Sequence, residues 1–228
     1  MLRRTVACLG RMLLCCVIIL YSAVPALGES GPAAVLVGQT GDIYLHCLTA
    51  DNGQQLYFAS LQPEAPVLET DLNGDGLMDL AVLTRMGASN RGQEFFLRSG
   101  DFYVPVRRLG SGEDAFYNYT RSKDGRYIAT NASNGYAGAL FDNALYTWSG
   151  TDLQLLRRAV SQPKVETQVT DNKLITTEYQ YVLTIRVWDY AQGIAQGNLL
   201  FQAEVNLYDE DALNAALTAV NSLMAFPQ

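Results

Sequence analysis

Histidine is nearly missing from this chain, with one in 228 residues. A nucleophile paired with an imidazole base, or a zinc centre, has only His46 to draw on, and no motif or ligand spacing surrounds it. Cysteine is also scarce. Of four, Cys8, Cys15 and Cys16 fall in the first 28 residues, so once that stretch is removed Cys47 has no partner for an intramolecular disulfide. No glycine-rich phosphate loop is present. Charged residues make up 17% and the formal charge is −7, which makes nucleic acid and anionic membrane surfaces poor partners. The apolar run from Met12 to Tyr21 falls short of the roughly 20 residues a membrane-spanning helix needs.

That run has a different meaning. Arg3, Arg4 and Arg11 precede it, and Pro25-Ala26-Leu27-Gly28 follows before Glu29, the layout of a signal peptide over residues 1–28. Neither Cys15 nor Cys16 follows a small residue, which argues against lipidation. Cleavage after Gly28 removes three arginines and no acid, taking the charge from −7 to −10. The expected product, 29–228, is exported, secreted or held in the periplasm or cell envelope, without stable membrane insertion. Its acidity suits a basic protein partner.

What is abundant points to β structure: thirteen Tyr, eight Phe and nineteen Gly. Ile43–Leu48 and Leu56–Ala59 flank Asp51-Asn52-Gly53 as a hairpin, with His46 and Cys47 as core side chains on its first strand. Pro63 and Pro66 mark an extended linker, and Leu80–Thr84 reads as a buried strand. A loop is expected over Met86–Gln93, then a second hairpin of Glu94–Arg98 and Phe102–Val106, with Pro105 marking an exposed edge. Short strands recur at Arg126–Thr130, Ala144–Trp148 and Leu153–Arg158. A long strand over Leu174–Tyr190 places Tyr179, Tyr181, Leu183, Ile185 and Val187 on one face, and Leu199–Tyr208 pairs with it across a turn at Gly193–Gly197. At the end, Asp209-Glu210-Asp211 opens a helix over 211–225 whose Leu213, Leu217, Val220 and Met224 form one stripe. The fold class is therefore mostly β, a propeller-like or β-meander domain with one C-terminal α-helix.

One stretch specifies a chemistry. Asp71, Asn73, Asp75 and Asp79 lie in a D-x-N-x-D-G-x-x-D pattern, which supplies hard oxygen ligands at loop positions 1, 3, 5 and 9, with the Leu77 carbonyl at position 7. Gly76 takes the turn. Three carboxylates within nine residues repel one another unless a cation neutralises them, and Ca2+ is the expected ion. An EF-hand would place a Glu at position 12; here position 12 is Val82, inside the predicted strand. The expected role is structural, since five protein oxygens, completed by water or Glu69, leave no open position for substrate.

The loop resembles those of FG-GAP and VCBS-type repeats, in which calcium clips the start of a propeller strand. With the hairpin Phe95–Phe102 and the stretch Tyr146–Leu155, residues 69–160 are similar to exported bacterial proteins bearing a single such motif. That resemblance implies a partial β-propeller and, for some members, inhibition of lysozyme-type hydrolases in the periplasm.

Two functions follow as expectations. The first is a non-catalytic binding module for a protein partner or a glycan, with Tyr117, Tyr119 and Tyr136 in polar loops as contact residues. The alternative is a wall-polymer or glycan hydrolase using two carboxylates drawn from Glu64, Glu69, Glu94, Glu113 and Asp114.

Overall fold

Alternating side chains and tight glycine turns build three largely antiparallel sheets. The computed structural model describes residues 32–110, 115–135, 138–170, 173–190 and 196–227. The leader, Glu113, Asp114, Tyr136 and the start of the Gly193–Gly197 turn lie outside these described residues.

The first sheet is β1 (Ala34–Thr40), β2 (Ile43–Thr49) and β3 (Gln55–Ser60), in that order. In β3 alternation is strict, with Leu56, Phe58 and Ser60 buried. The second sheet runs β4 (Val67–Thr70), β5 (Asp79–Met86), β6 (Arg91–Ser99), β7 (Phe102–Pro105), with β9 (Phe116–Tyr117) paired to β6. The third runs β10 (Thr120–Arg121), β11 (Tyr127–Gly135), β12 (Leu140–Ser149), β13 (Asp152–Thr170), β14 (Lys173–Asp189), β15 (Asn198–Asn206), and β8 (Arg108–Leu109) joins β13 in parallel. Strands account for 63% of the described residues. Among the described residues the fold is a β-meander closed by one helix, α1 (Glu210–Met224), and no sheet curls into a barrel.

Three hairpins share one turn chemistry. Thr40 pairs with Ile43, Ser99 with Phe102 and Ser149 with Asp152, leaving two-residue loops that begin at Gly41, Gly100 and Gly150. Each of these glycines has φ near +60°, the first central position of a type II′ turn, whose twist matches the flanking strands.

The second sheet is buried on both faces because it lies between the other two. Leu80, Val82 and Phe96 pack with Leu48, Leu56 and Phe58 of the first sheet. Ala81, Phe95 and Leu97 turn the opposite way to meet Ile128, Tyr146 and Leu155 of the third. Phe95 stacks on Phe116 at 4.1 Å between ring centres. A third core packs Leu183, Ile185, Val187 and Val205 under Ala216 and Val220 of α1. Leu213, Leu217 and Met224 rest against it, so the predicted stripe is the packing face.

Several expectations need correction. The linker before the cation loop contains β4, which pairs with β5, and the loop expected over Met86–Gln93 shrinks to 87–90 because β5 and β6 run further. Leu183, Ile185 and Val187 are buried as expected, but Tyr179 and Tyr181 are exposed at 36% and 48%. A register shift causes this: Pro163 faces Leu183 while Lys164 faces Tyr179, so residues 180–182 bulge and the row loses phase. Tyr119 is partly buried, its ring packing edge-on against Phe95 at 4.8 Å.

Candidate functional site

β5 is the strand buried on both faces, and the 71–79 loop ends on its first residue. Asp79 is fully buried there. One carboxylate oxygen accepts the Leu72 amide at 2.7 Å and the other accepts the Arg98 amide at 2.8 Å, which ties the loop's start, β5 and β6 together. Burial raises the Asp79 pKa, the two amide bonds pull it down, and the charges of Asp75 and Asp71 push it up again. Two more acids are therefore close enough to be felt.

The loop turns its other oxygens inward. The Asp71 carboxylate accepts the amides of Gly74 at 2.6 Å and Gly76 at 3.1 Å. The Asn73 side-chain oxygen accepts the Asp75 amide at 3.1 Å, and the Asp75 carboxylate accepts the Leu77 amide at 2.8 Å. Gly74 and Gly76 have φ of 81° and 85°, a conformation that lets successive side chains face the same interior.

As a test of fit to Ca2+, the donor chemistry agrees: carboxylates, an amide oxygen and a backbone carbonyl are the hard ligands this ion takes. The arrangement is closed on itself. The Asn73 amide nitrogen donates to Asp75 at 2.9 Å, and no three His, Cys, Asp or Glu among the described residues converge as a metal-binding group. Asp71, Asn73, Asp75, Leu77 and Asp79 are the residues that would hold the ion, after those internal bonds give way to it.

The loop's outer wall has no signature in the local sequence. The turn Ser122–Arg126, from the third sheet, lies directly on it. A methyl group on Gly74 would stand 2.5 Å from the Asp124 carbonyl oxygen, and one on Gly125 would stand 2.5 Å from the Asn73 carbonyl carbon. The two backbones touch with no side chain between them. Arg121 donates to the Asp71 carbonyl and stands 3.7 Å from its carboxylate, while the Trp148 indole donates to the Gly125 carbonyl at 2.8 Å. Within the turn, Asp124 accepts from the Ser122 hydroxyl at 2.7 Å and from Arg126, which together lower its pKa to about 2. A Lys-Asp-Gly-Arg turn reads locally as a hairpin connection, and the close approach adds a second reason for glycine at 125 beside its positive φ of 72°.

Glu94 is matched by Arg108 at 3.4 Å, and Glu64 and Glu69 are exposed. His46 is a core residue, bonded to the Gln62 carbonyl at 3.1 Å and stacked on Phe58, with Cys47 buried beside it. Tyr117 is half-buried and lines a cleft of about 350 Å³ with Leu61, Arg85, Met86, Asn90 and Asn134.

No protein-family model matches the chain, and no curated protein matches it in sequence. Among solved structures it is similar to one described as the structure of a Xanthomonas type IV secretion system related protein, with 14% identity and a TM-score of 0.36 over 69% of this chain and 98% of that one.

Proposed function

We propose that the protein is an exported, calcium-stabilised binding module that acts on a protein partner without catalysis. The observation that carries the reading is the position of the 71–79 loop, whose last acid, Asp79, is sealed at the head of a strand buried on both faces. A cation held there strengthens the joint between sheets and meets no substrate. Export rests on the leader over residues 1–28; no helix among the described residues is long and apolar enough to cross a membrane.

The finer form of the proposal is inhibition of a lysozyme-type hydrolase, supported by the resemblance of residues 69–160 and by a charge of −10 in the mature chain, which would attract a basic enzyme. The test uses mature protein, with calcium, as bait in an envelope extract of the producing cell. A captured hydrolase that loses activity when the purified protein is added supports the proposal. Wall-polymer cleavage by the protein itself, abolished by a single Glu or Asp substitution, overturns it in favour of the carboxylate hydrolase.

A further inference from the structure

Two clefts meet at Arg126, beside the outer wall of the 71–79 loop. The first, of about 370 Å³, is lined by Asn73, Arg126, Tyr127, Thr147, Trp148 and Gly150. The second, of about 490 Å³, shares Arg126 and adds Lys123, Phe226 and Pro227. Both volumes fall within the range of roughly 300–1,000 Å³ that ligand sites occupy.

Aromatic rings in these walls are half-buried and held in place. The Trp148 indole donates to the Gly125 carbonyl at 2.8 Å. The Tyr127 ring is stacked with Phe226, 6.4 Å between centres, and the Arg126 guanidinium lies 5.6 Å from its centre. Rings fixed in this way lose little freedom when a ligand settles on them. Polar groups stand between them. The Thr147 hydroxyl donates to the Arg126 carbonyl at 3.3 Å and keeps its lone pairs for a second partner. Arg126 gives its Nε–H to Asp124, and its terminal nitrogens have no partner among the described residues.

Charge narrows the choice of ligand. Asp124 offsets Arg126, which leaves Lys123 as the uncompensated cation of the paired clefts. One such cation on a chain of formal charge −7 does not hold a polyanion, so a nucleic-acid strand is excluded despite the stacking rings. A protein anchor needs a desolvated apolar pocket, whereas here the rings alternate with an amide, a hydroxyl and a guanidinium. Sugar rings match that alternation, because their C–H faces stack on aromatic rings while their hydroxyls both donate and accept.

We infer that the paired clefts bind a neutral linear glycan, with sugar rings on Trp148 and Tyr127 and the chain crossing Arg126 toward Phe226. The site requires neither the protein partner nor inhibition of a hydrolase.

Calorimetric titration of the mature protein, in calcium, with the tetramer of N-acetylglucosamine and with the tetramer of glucose tests the inference. At least one tetramer should bind with Kd of about 10 µM to 1 mM. Its monosaccharide should bind about tenfold more weakly, since only a chain spans both clefts. Arg126→Ala, at an exposed position, and Trp148→Phe should each weaken the tetramer about fivefold or more. Tyr208→Ala removes a ring that is 75% exposed at the start of α1 and should leave the Kd unchanged. Trp188→Phe leaves Trp148 as the one indole of the chain, and its emission should shift as the tetramer is added. Absence of binding by both tetramers overturns the inference. So does binding that leaves the Trp148 emission unchanged, or that is lost in Tyr208→Ala and kept in Arg126→Ala.

Discussion

Gly125 has φ of +72° and faces the Asn73 and Gly74 backbone, so two separate costs meet in one residue. An alanine there bears the left-handed strain of about 1–2 kcal/mol and also pushes two sheets apart. Gly41→Ala is the control, because Gly41 shares the positive φ but has nothing within 4 Å. Urea titrations should show Gly125→Ala destabilising by about 3 kcal/mol and Gly41→Ala by about 1. Equal losses would mean that the close approach to the cation loop contributes nothing. At the same turn, Asp124 has a carboxyl pKa depressed from 3.8 to about 2, chiefly by the Ser122 hydroxyl and then by Arg126. Its stabilising contribution is full above about pH 4 and is lost as pH falls through about 2. Asp79, with a raised pKa, gives a slope of the opposite sign, since protonation relieves a buried charge. Melting temperatures between about pH 5 and about pH 2 should therefore fall less steeply in Asp124→Asn than in wild type.

At the scale of elements, α1 was the most legible feature. Asp209 caps it by accepting the Ala212 amide at 3.0 Å, and the Arg157 guanidinium of β13 donates to the Leu223 carbonyl at its other end. Asp209→Ala should cost about 1 kcal/mol in chemical denaturation, and a change below about 0.3 would show that the cap is unimportant. Strands with strict alternation, such as β3 and the inner half of β14, were equally plain in sequence. β4 was hidden because Val67–Thr70 follows two prolines and has no buried residue, so its only strand signature is pairing with β5. The exposure of Tyr179 and Tyr181 could not be read from alternation, since a bulge at residues 180–182 changes phase without changing composition. The same limit applies to the site: the oxygen ligands of the 71–79 loop follow from local spacing. Its outer wall at Arg121, Gly125 and Trp148 is contributed from a different sheet, about fifty positions away for Arg121 and Asp71.

For the whole molecule, the 71–79 loop is a joint of the second sheet, because one buried carboxylate, Asp79 of β5, fastens the loop's start to β6. If the leader is removed as proposed, Cys47 is left without a partner and no intramolecular disulfide replaces that joint. An ion that binds only the folded state at about 100 times its dissociation constant adds roughly 2.7 kcal/mol. In a domain of this size each kcal/mol moves the midpoint by about 2–4 °C, so chelation should lower the melting temperature by about 5–10 °C. Asp75→Ala removes a charged ligand whose other bonds are to the exposed loop alone, and it should abolish most of that difference while leaving the metal-free protein folded. Asn134→Ala, far along the chain on β11, should keep the full response. Calorimetric scans in excess calcium and in excess chelator, on protein stripped of metal beforehand, decide the matter: curves that superimpose for wild type would remove calcium from this fold.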